Sequence, residues 1–243
     1  MDAIDIIKEI ETTYDVSSIK VNGIQVWPFL RSIYFGFIEN ENLNIQNKRK
    51  GVALPNIKRI KNSFYGLNNL FKRVDYIALS NTGELRLKDG LYINKLLNDL
   101  YVLLGKDNIL VIEDSHLRAH YNINKLYMKN VMSLDFFNIL RRIYSFNFLF
   151  KIENEEILDS INIHCGIDIE YISAIKKFFC YHKIFTTTLR ITKPKIIFIS
   201  DYYNLPHQAL IYTARKLGIK VVELQHGIIN SEHTAYNVFT NLD

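Results

Sequence analysis

The sequence contains few of the residues that interrupt or cross-link a chain: 2 Cys, 4 Pro and 10 Gly among 243 residues. Two cysteines are too few for a disulfide framework, and the first residues lack the basic and apolar regions of a secretory signal, so we expect reduced thiols in the cytoplasm. No uncharged apolar stretch reaches the length of about 18 residues that a membrane-spanning helix needs. The low Pro and Gly content also excludes collagen-like and low-complexity classes.

The chain is rich in apolar and aromatic residues: 48% of its residues are hydrophobic and 13% are aromatic. Such a composition can bury enough surface to offset the entropy of ordering, which excludes intrinsic disorder. Lys and Arg exceed Asp and Glu by 30 to 25, giving a net charge of +5. Because this excess is small and lies mostly in residues 48–73, we expect no nucleic-acid partner.

Two parts of the chain have the pattern of a βαβ unit, in which short apolar runs flank an amphipathic helix. Strands are predicted at 76–80, 109–112, 195–199 and 220–224, with helices from an N-cap at Asp89 to Gly105 and from Asn204 to Gly218. Buried strands joined by helices predict an α/β fold with a Rossmann-like parallel sheet and helices on both faces. Neither standard Gly-rich phosphate fingerprint is present.

The predicted domains are an N-terminal helical and basic segment, residues 1–74, packed on an α/β domain, residues 75–243, with a helical insertion at 115–192. The first segment reads as a helical hairpin. The basic stretch 48–73 is most simply a solvated helix, with an anionic membrane surface as the alternative. The aromatic stretch 134–150 favours a buried core helix, with shallow lipid insertion as the alternative.

Ligands of parallel α/β sheets collect at the carboxyl ends of the strands. The residues that this rule selects as substrate-binding are Asn81, Asp201, Gln225 and Gly227, together with His207, His233 and Tyr236 on adjoining segments. His226 leaves the last strand between Gln225 and Gly227 and is the candidate catalytic residue, as a general base near neutral pH. The alternative for His226 is a hydrogen-bonded histidine with a structural role.

The remaining histidines and cysteines do not form a metal motif. His116 and His120 have helical spacing without the His-Glu-x-x-His pattern, and no C-x-x-C pair accompanies Cys165 or Cys180. We therefore predict no metal site.

The segment from Val221 to Ile229, which contains Gln225-His226-Gly227 and is followed by His233 and Tyr236, resembles the Gln-His-Gly segment of bacterial GT-B-type glycosyltransferases. These enzymes make capsule, O-antigen and related polysaccharides, and the segment is also similar to that of teichoic-acid glycerophosphotransferases. Weaker similarity extends over residues 1–240. It includes Val21–Ile24 with Trp27, Pro28 and Arg31, Leu79–Asn81 with Asp89, Gly90 and Tyr92, and Ser200–Tyr203. Thr234-Ala235 replaces the Pro-Gly usual in the family.

The resemblance implies the acceptor-side domain of a metal-independent glycosyltransferase with no cofactor, a nucleotide sugar as donor, and a glycan or lipid-linked acceptor at the cytoplasmic membrane face. His226 would remove the acceptor proton or contact the donor phosphate. In such enzymes a second Rossmann-like domain binds the donor. We expect a continuation of the chain or a partner chain to supply it, since these 243 residues account for one half.

Two other functions remain open. One is a polyol-phosphate transferase, which a CDP-polyol donor would distinguish from a glycosyltransferase. The other is a non-catalytic binding or scaffold module that completes a cleft with a partner chain.

Overall fold

The computed structural model of the chain describes residues 2–42, 60, 62–114, 125–146 and 148–224. The helices are α1 Ala3–Thr13, α2 Trp27–Asn42, α3 Asn98–Leu104, α4 Leu134–Ser145, α5 Glu155–Cys165, α6 Tyr171–Thr192 and α7 Leu205–Lys216. The strands are β1 Lys20–Val21, β2 Ile24–Gln25, β3 Tyr76–Asn81, β4 Leu85–Lys88, β5 Leu91–Asn94, β6 Ile109–Asp114, β7 Val131–Ser133, β8 Ile196–Ile199 and β9 Lys220–Glu223.

Five strands form one parallel sheet in the order β7-β6-β3-β8-β9. The first strand of this sheet along the chain is the central strand β3. β6 and β7 follow on one side of β3, and β8 and β9 lie on its other side. The strand order therefore reverses between β3 and β8, which is the position where doubly wound sheets bind ligands. The α/β, Rossmann-like prediction is confirmed.

The sheet buries both of its faces, because successive side chains of a strand point in opposite directions. Ile77 and Leu79 of β3 belong to one buried apolar cluster, whereas Ala78 belongs to the other. The first cluster includes residues of α4, α6 and α7, and the second includes Leu97 and Tyr101 from the start and middle of α3. This two-sided burial explains the continuous apolar runs that predicted the strands.

The N-terminal helices pack against the helical layer of the first cluster. Ile7 and Ile10 of α1 and Trp27 and Leu30 of α2 are fully buried in that cluster. Stacked rings of Phe29 and Phe178, 3.9 Å apart, join α2 to α6. α1 and α2 therefore share one core with the sheet domain, and the predicted boundary at residue 74 stays a prediction.

The segment before β3 closes against the edge strand β7. Asn69 Nδ2 donates to the carbonyl oxygen of Val131 at 3.0 Å, and the backbone N–H of Ser133 donates to Tyr65 at 3.2 Å. Gly66 lies between these bonds with φ +69°, and a Cβ added there would lie 1.8 Å from the Val131 oxygen. Only glycine allows this approach. Of the basic stretch, residues 48–59 and 61 lie outside the described residues.

Two predictions about local structure were wrong. Asp89 does not cap a helix: Asp89 and Gly90, with φ of 50° and 77°, form the turn of the β4–β5 hairpin, and the helix begins only at Asn98. In its described part the insertion at 115–192 contains α4, α5 and α6, and it also contains β7, which joins the sheet. The stretch 134–150 is only partly buried, since Phe146 is 86% exposed and Leu149 is 96% exposed. Across the part of the chain that the structure describes, no helix combines the length and apolar character needed to cross a membrane.

Candidate functional site

A groove of about 1160 Å³ opens at the carboxyl ends of β8 and β9. Ile199 and Glu223, the last residues of these two strands, contribute to its floor, α7 supplies one wall, and the β1–β2 hairpin with the start of α2 supplies the opposite wall. The groove thus lies beside the reversal of strand order, where the fold favours ligand binding.

The α7 wall follows from helical periodicity. Gln208, Tyr212 and Arg215 recur at intervals of three or four residues and line the groove. Leu210 and Thr213, on the opposite side of the helix, are fully buried. α7 therefore presents a polar and aromatic face to the groove while its apolar face holds it on the sheet.

The opposite wall starts with a tight turn. Asn22 and Gly23, with φ of 52° and 73°, reverse the chain between β1 and β2, and the following residues bring Gln25 to the groove. Arg31 enters from α2. Its Nε lies 2.6 Å from Oε1 of Glu11, and both side chains are buried.

Two acceptor atoms at the groove have no hydrogen-bond partner in the described structure: Oε1 of Gln25 and Oε1 of Gln208. Both atoms are buried, and both residues line the groove. A buried carbonyl oxygen without a donor costs about 1–3 kcal/mol. A ligand hydroxyl or amine that reached these oxygens would remove this cost.

The groove is rich in positive charge and in phenol groups. Its cationic residues are Lys20, Arg31, Arg215 and Lys216, and its tyrosines are Tyr202, Tyr203 and Tyr212. Burial raises the pKa of Tyr202, the Arg31 guanidinium opposes this rise and the Glu223 carboxylate adds to it. Burial also raises the pKa of Tyr203, with Asp201 and Glu223 adding to the rise. Both phenols are therefore protonated donors at neutral pH.

Asp201 and His207, two of the predicted substrate-binding residues, contact each other. His207 Nδ1 lies 2.8 Å from the backbone oxygen and 3.0 Å from the carboxylate Oδ1 of Asp201. The same Nδ1 also lies 3.0 Å from Nδ2 of Asn204. Asn204 Nδ2 donates to Asp201 Oδ1 at 2.8 Å, while Asn204 Oδ1 accepts from the His207 backbone N–H at 3.0 Å. The cluster thereby fixes the start of α7.

The other predicted residues fall into two groups. Asn81 ends β3, where its Oδ1 accepts from the Gly83 backbone N–H at 2.8 Å. None of Asn81, Asp201 and His207 is among the described lining residues of the groove. The remaining predicted residues, Gln225, His226, Gly227, His233 and Tyr236, lie outside the described residues. They follow Leu224, whose backbone N–H donates at 2.8 Å to the carbonyl oxygen of Ile199, a residue that lines the groove.

The histidines near the two cysteines have other partners. His164 Nδ1 lies 3.1 Å from the Tyr14 hydroxyl, and His182 Nδ1 lies 2.8 Å from Thr213 Oγ1. His116 and His120 lie outside the described residues. Within the described ranges, no group of three or more His, Cys, Asp or Glu residues is placed to hold a metal ion.

Four residues that line the groove were not predicted from the sequence as site residues: Gln25, Gln208, Tyr212 and Arg215. The signal for three of them was present, because the polar face of α7 repeats with helical spacing opposite its apolar face. Gln25 carried no such signal. Comparisons with models of protein families, with curated proteins and with solved structures found no match to this chain.

Proposed function

We propose that the groove binds a sugar acceptor that carries an anionic group, and that the chain forms the acceptor side of a GT-B-type glycosyltransferase of bacterial surface-polysaccharide assembly. The observation that carries the proposal is the groove at the carboxyl ends of β8 and β9, in which cationic side chains lie together with two amide oxygens that have no hydrogen-bond partner among the described residues.

The chemistry of the lining suits such an acceptor. Sugar hydroxyls are donors and would pair with Oε1 of Gln25 and of Gln208, which find no donor in the described structure. Lys20, Arg215 and Lys216 would attract a phosphate or carboxylate on the acceptor. Tyr203 and Tyr212 offer ring faces to the apolar side of a sugar and hydroxyls to its polar side.

In the proposed reaction, the acceptor hydroxyl attacks the anomeric carbon of the donor sugar. A new carbon–oxygen bond forms to the acceptor, and the bond to the donor phosphate breaks, with its electron pair leaving on the nucleoside diphosphate. The proposed base is His226, which takes the acceptor proton. In the sequence His226 follows Leu224 by two residues, and the Leu224 backbone N–H donates to Ile199, which lines the groove.

The test is a transfer assay on the full chain, alone and with a donor-binding partner domain. Nucleotide sugars and CDP-polyols are offered with oligosaccharide and lipid-linked acceptors. We expect transfer from a nucleotide sugar, and His226→Ala should slow it by about 10²–10⁴-fold because proton removal is lost. His164→Ala is the matched control, since His164 contacts the Tyr14 hydroxyl and is not among the residues that line the groove.

The outcomes separate the alternatives. Transfer from a CDP-polyol would replace the glycosyl reaction with polyol-phosphate transfer. Acceptor binding that is weakened by Arg215→Gln, without turnover of any donor, would identify a binding module. Equal transfer rates for His226→Ala and the unmodified chain would reject His226 as the base, and absence of both binding and transfer would reject the proposal.

A further inference from the structure

We infer that the end of α4 and the loop after it form a contact site for an anionic lipid surface. The site consists of Ile143, Tyr144, Phe146 and Leu149, and we call it the α4 apolar patch. The exposed fractions are 62% for Ile143, 39% for Tyr144, 86% for Phe146 and 96% for Leu149. Neighbouring exposed apolar side chains of this size are unusual on a surface that contacts only water.

The loop is built so that these side chains point outward. Phe148 packs against Phe179 of α6, with ring centroids 5.9 Å apart, and against Phe150 at 5.5 Å. Phe148 and Phe150 are both partly buried against the core. Because Leu149 lies between these two inward residues, its side chain is directed to the solvent. Its exposure is therefore a consequence of packing on both sides.

Positive charge surrounds the patch. Lys183 Nζ lies 4.8 Å from the centroid of the Tyr144 ring. Ile143, Tyr144 and Phe148 share a cavity of about 320 Å³ with Cys180 and Lys183. Burial raises the pKa of Cys180, and the positive charges of Arg141, Lys176 and Lys183 act against that rise. Of these three cations, Lys183 lines the cavity.

The charges on α4 are also separated along its length. Its acidic residue, Asp135, is in the first turn, and Arg142 is in the last turn, next to the patch. Lys151 is exposed just beyond Leu149. An apolar tip with a basic border matches the acyl boundary and the anionic headgroups of a bilayer, and tyrosine favours the interface between them. Charge complementarity thus points to an anionic membrane as the occupant.

This inference is independent of the proposed function, because no residue of the patch lines the groove. It takes up the shallow lipid insertion that the aromatic stretch 134–150 left open, and it differs from the membrane contact that the basic stretch 48–73 suggested. It predicts that the chain binds bilayers whether or not it transfers a sugar.

The experiment is co-sedimentation of the full chain with vesicles of phosphatidylcholine alone and with vesicles of phosphatidylcholine and phosphatidylglycerol in equal parts. We expect binding to the anionic vesicles that weakens as salt is raised. Phe146→Ser and Leu149→Ser should each weaken binding about tenfold, since each removes one inserted apolar side chain. Arg142→Gln should weaken it about fivefold.

Leu103→Ser is the matched control. Leu103 is 81% exposed on α3, which covers the other face of the sheet, so its substitution should leave vesicle binding unchanged. The inference is overturned if the unmodified chain does not bind anionic vesicles, if it binds neutral vesicles equally well, or if Leu103→Ser weakens binding as much as Leu149→Ser. It is also overturned if the patch substitutions abolish self-association of the chain while vesicle binding persists.

Discussion

The carboxylate of Glu11 holds the guanidinium of Arg31, with Arg31 Nε 2.6 Å from Glu11 Oε1 inside the protein. The same carboxylate oxygen accepts a hydrogen bond from Trp27 Nε1 at 2.9 Å. One acidic residue of α1 therefore fixes two residues of α2, and Arg31 reaches the groove from this fixed position. The geometry of the groove wall thus depends on a residue that does not line it.

Glu11→Ala should destabilise the chain strongly, because it leaves the buried Arg31 without this counter-ion. The expected loss in the free energy of unfolding is about 3–5 kcal/mol. Glu9→Ala is the control, since Glu9 is 44% exposed on the same helix and pairs with His164 at 3.4 Å. Its loss should be about 0–1 kcal/mol. Urea unfolding measures both values, and similar losses for the two variants would contradict the role given to Glu11.

Gln208→Met should stabilise the chain and weaken its binding of a sugar acceptor. The substitution removes a buried oxygen that has no donor among the described residues, so the free energy of unfolding should rise by about 1 kcal/mol. Asn98→Leu is the control, because Asn98 Oδ1 is also buried without a partner in the described part of the chain but belongs to α3 and does not line the groove. It should raise stability without changing acceptor binding. Unfolding and titration calorimetry would show whether the two effects separate. A loss of stability in Gln208→Met would count against an unpaired oxygen at the groove.

Gly66→Ala should cost more than Gly218→Ala, although both glycines have φ +69°. The left-handed backbone costs alanine about 1–2 kcal/mol at either position. A Cβ at Gly218 meets nothing within 4 Å, whereas at Gly66 it would lie 1.8 Å from the Val131 oxygen. Displacing β7 should add about 1–3 kcal/mol. Thermal and urea unfolding of the pair provide the measurement, and equal losses would show that the segment before β3 does not press on β7.

His182 should make the chain less stable as the pH falls. Burial lowers the pKa of His182 below its ordinary value of 6.5, and the nearby Lys216 lowers it further. As the pH drops through 6.5, the unfolded chain binds a proton that the folded chain does not, so folding loses free energy. Above pH 6.5 folding does not lose this free energy.

His182→Gln removes this titration and should flatten the dependence of the unfolding free energy on pH below 6.5. Urea unfolding at a series of pH values, for the variant and the unmodified chain, is the measurement. Identical slopes for the two proteins would show that His182 binds its proton equally well in both states.

The apolar pattern of the sequence predicted the central sheet strands to within about two residues, because burial on both faces left a continuous apolar run. The run at 76–80 became Tyr76–Asn81, and the run at 109–112 became Ile109–Asp114. It missed β7, because three residues are too short to show a period. It also placed a helix start at Asp89, where Asp-Gly forms a hairpin turn.

The groove was harder to predict, because its walls come from opposite ends of the described chain. Gln25 and Gln208 face one space only after α2 and α7 have packed on α6. Periodicity reports which side of a helix is apolar, but it does not report which distant segment stands opposite the polar side. The strand ends that were predicted to bind ligand therefore lie near the groove. Most of the residues that line the groove were not among the predicted site residues.

The docking of α2 on α6 has a consequence for how the chain is made. A ribosome completes Phe29 long before its stacking partner Phe178, and at about 5–20 residues per second the delay is about 7–30 seconds. During that time the newborn helix has an apolar side without its final cover. Synthesis of this protein thus includes a waiting period in which a chaperone can recognise its first helices, and the groove exists only after that period ends.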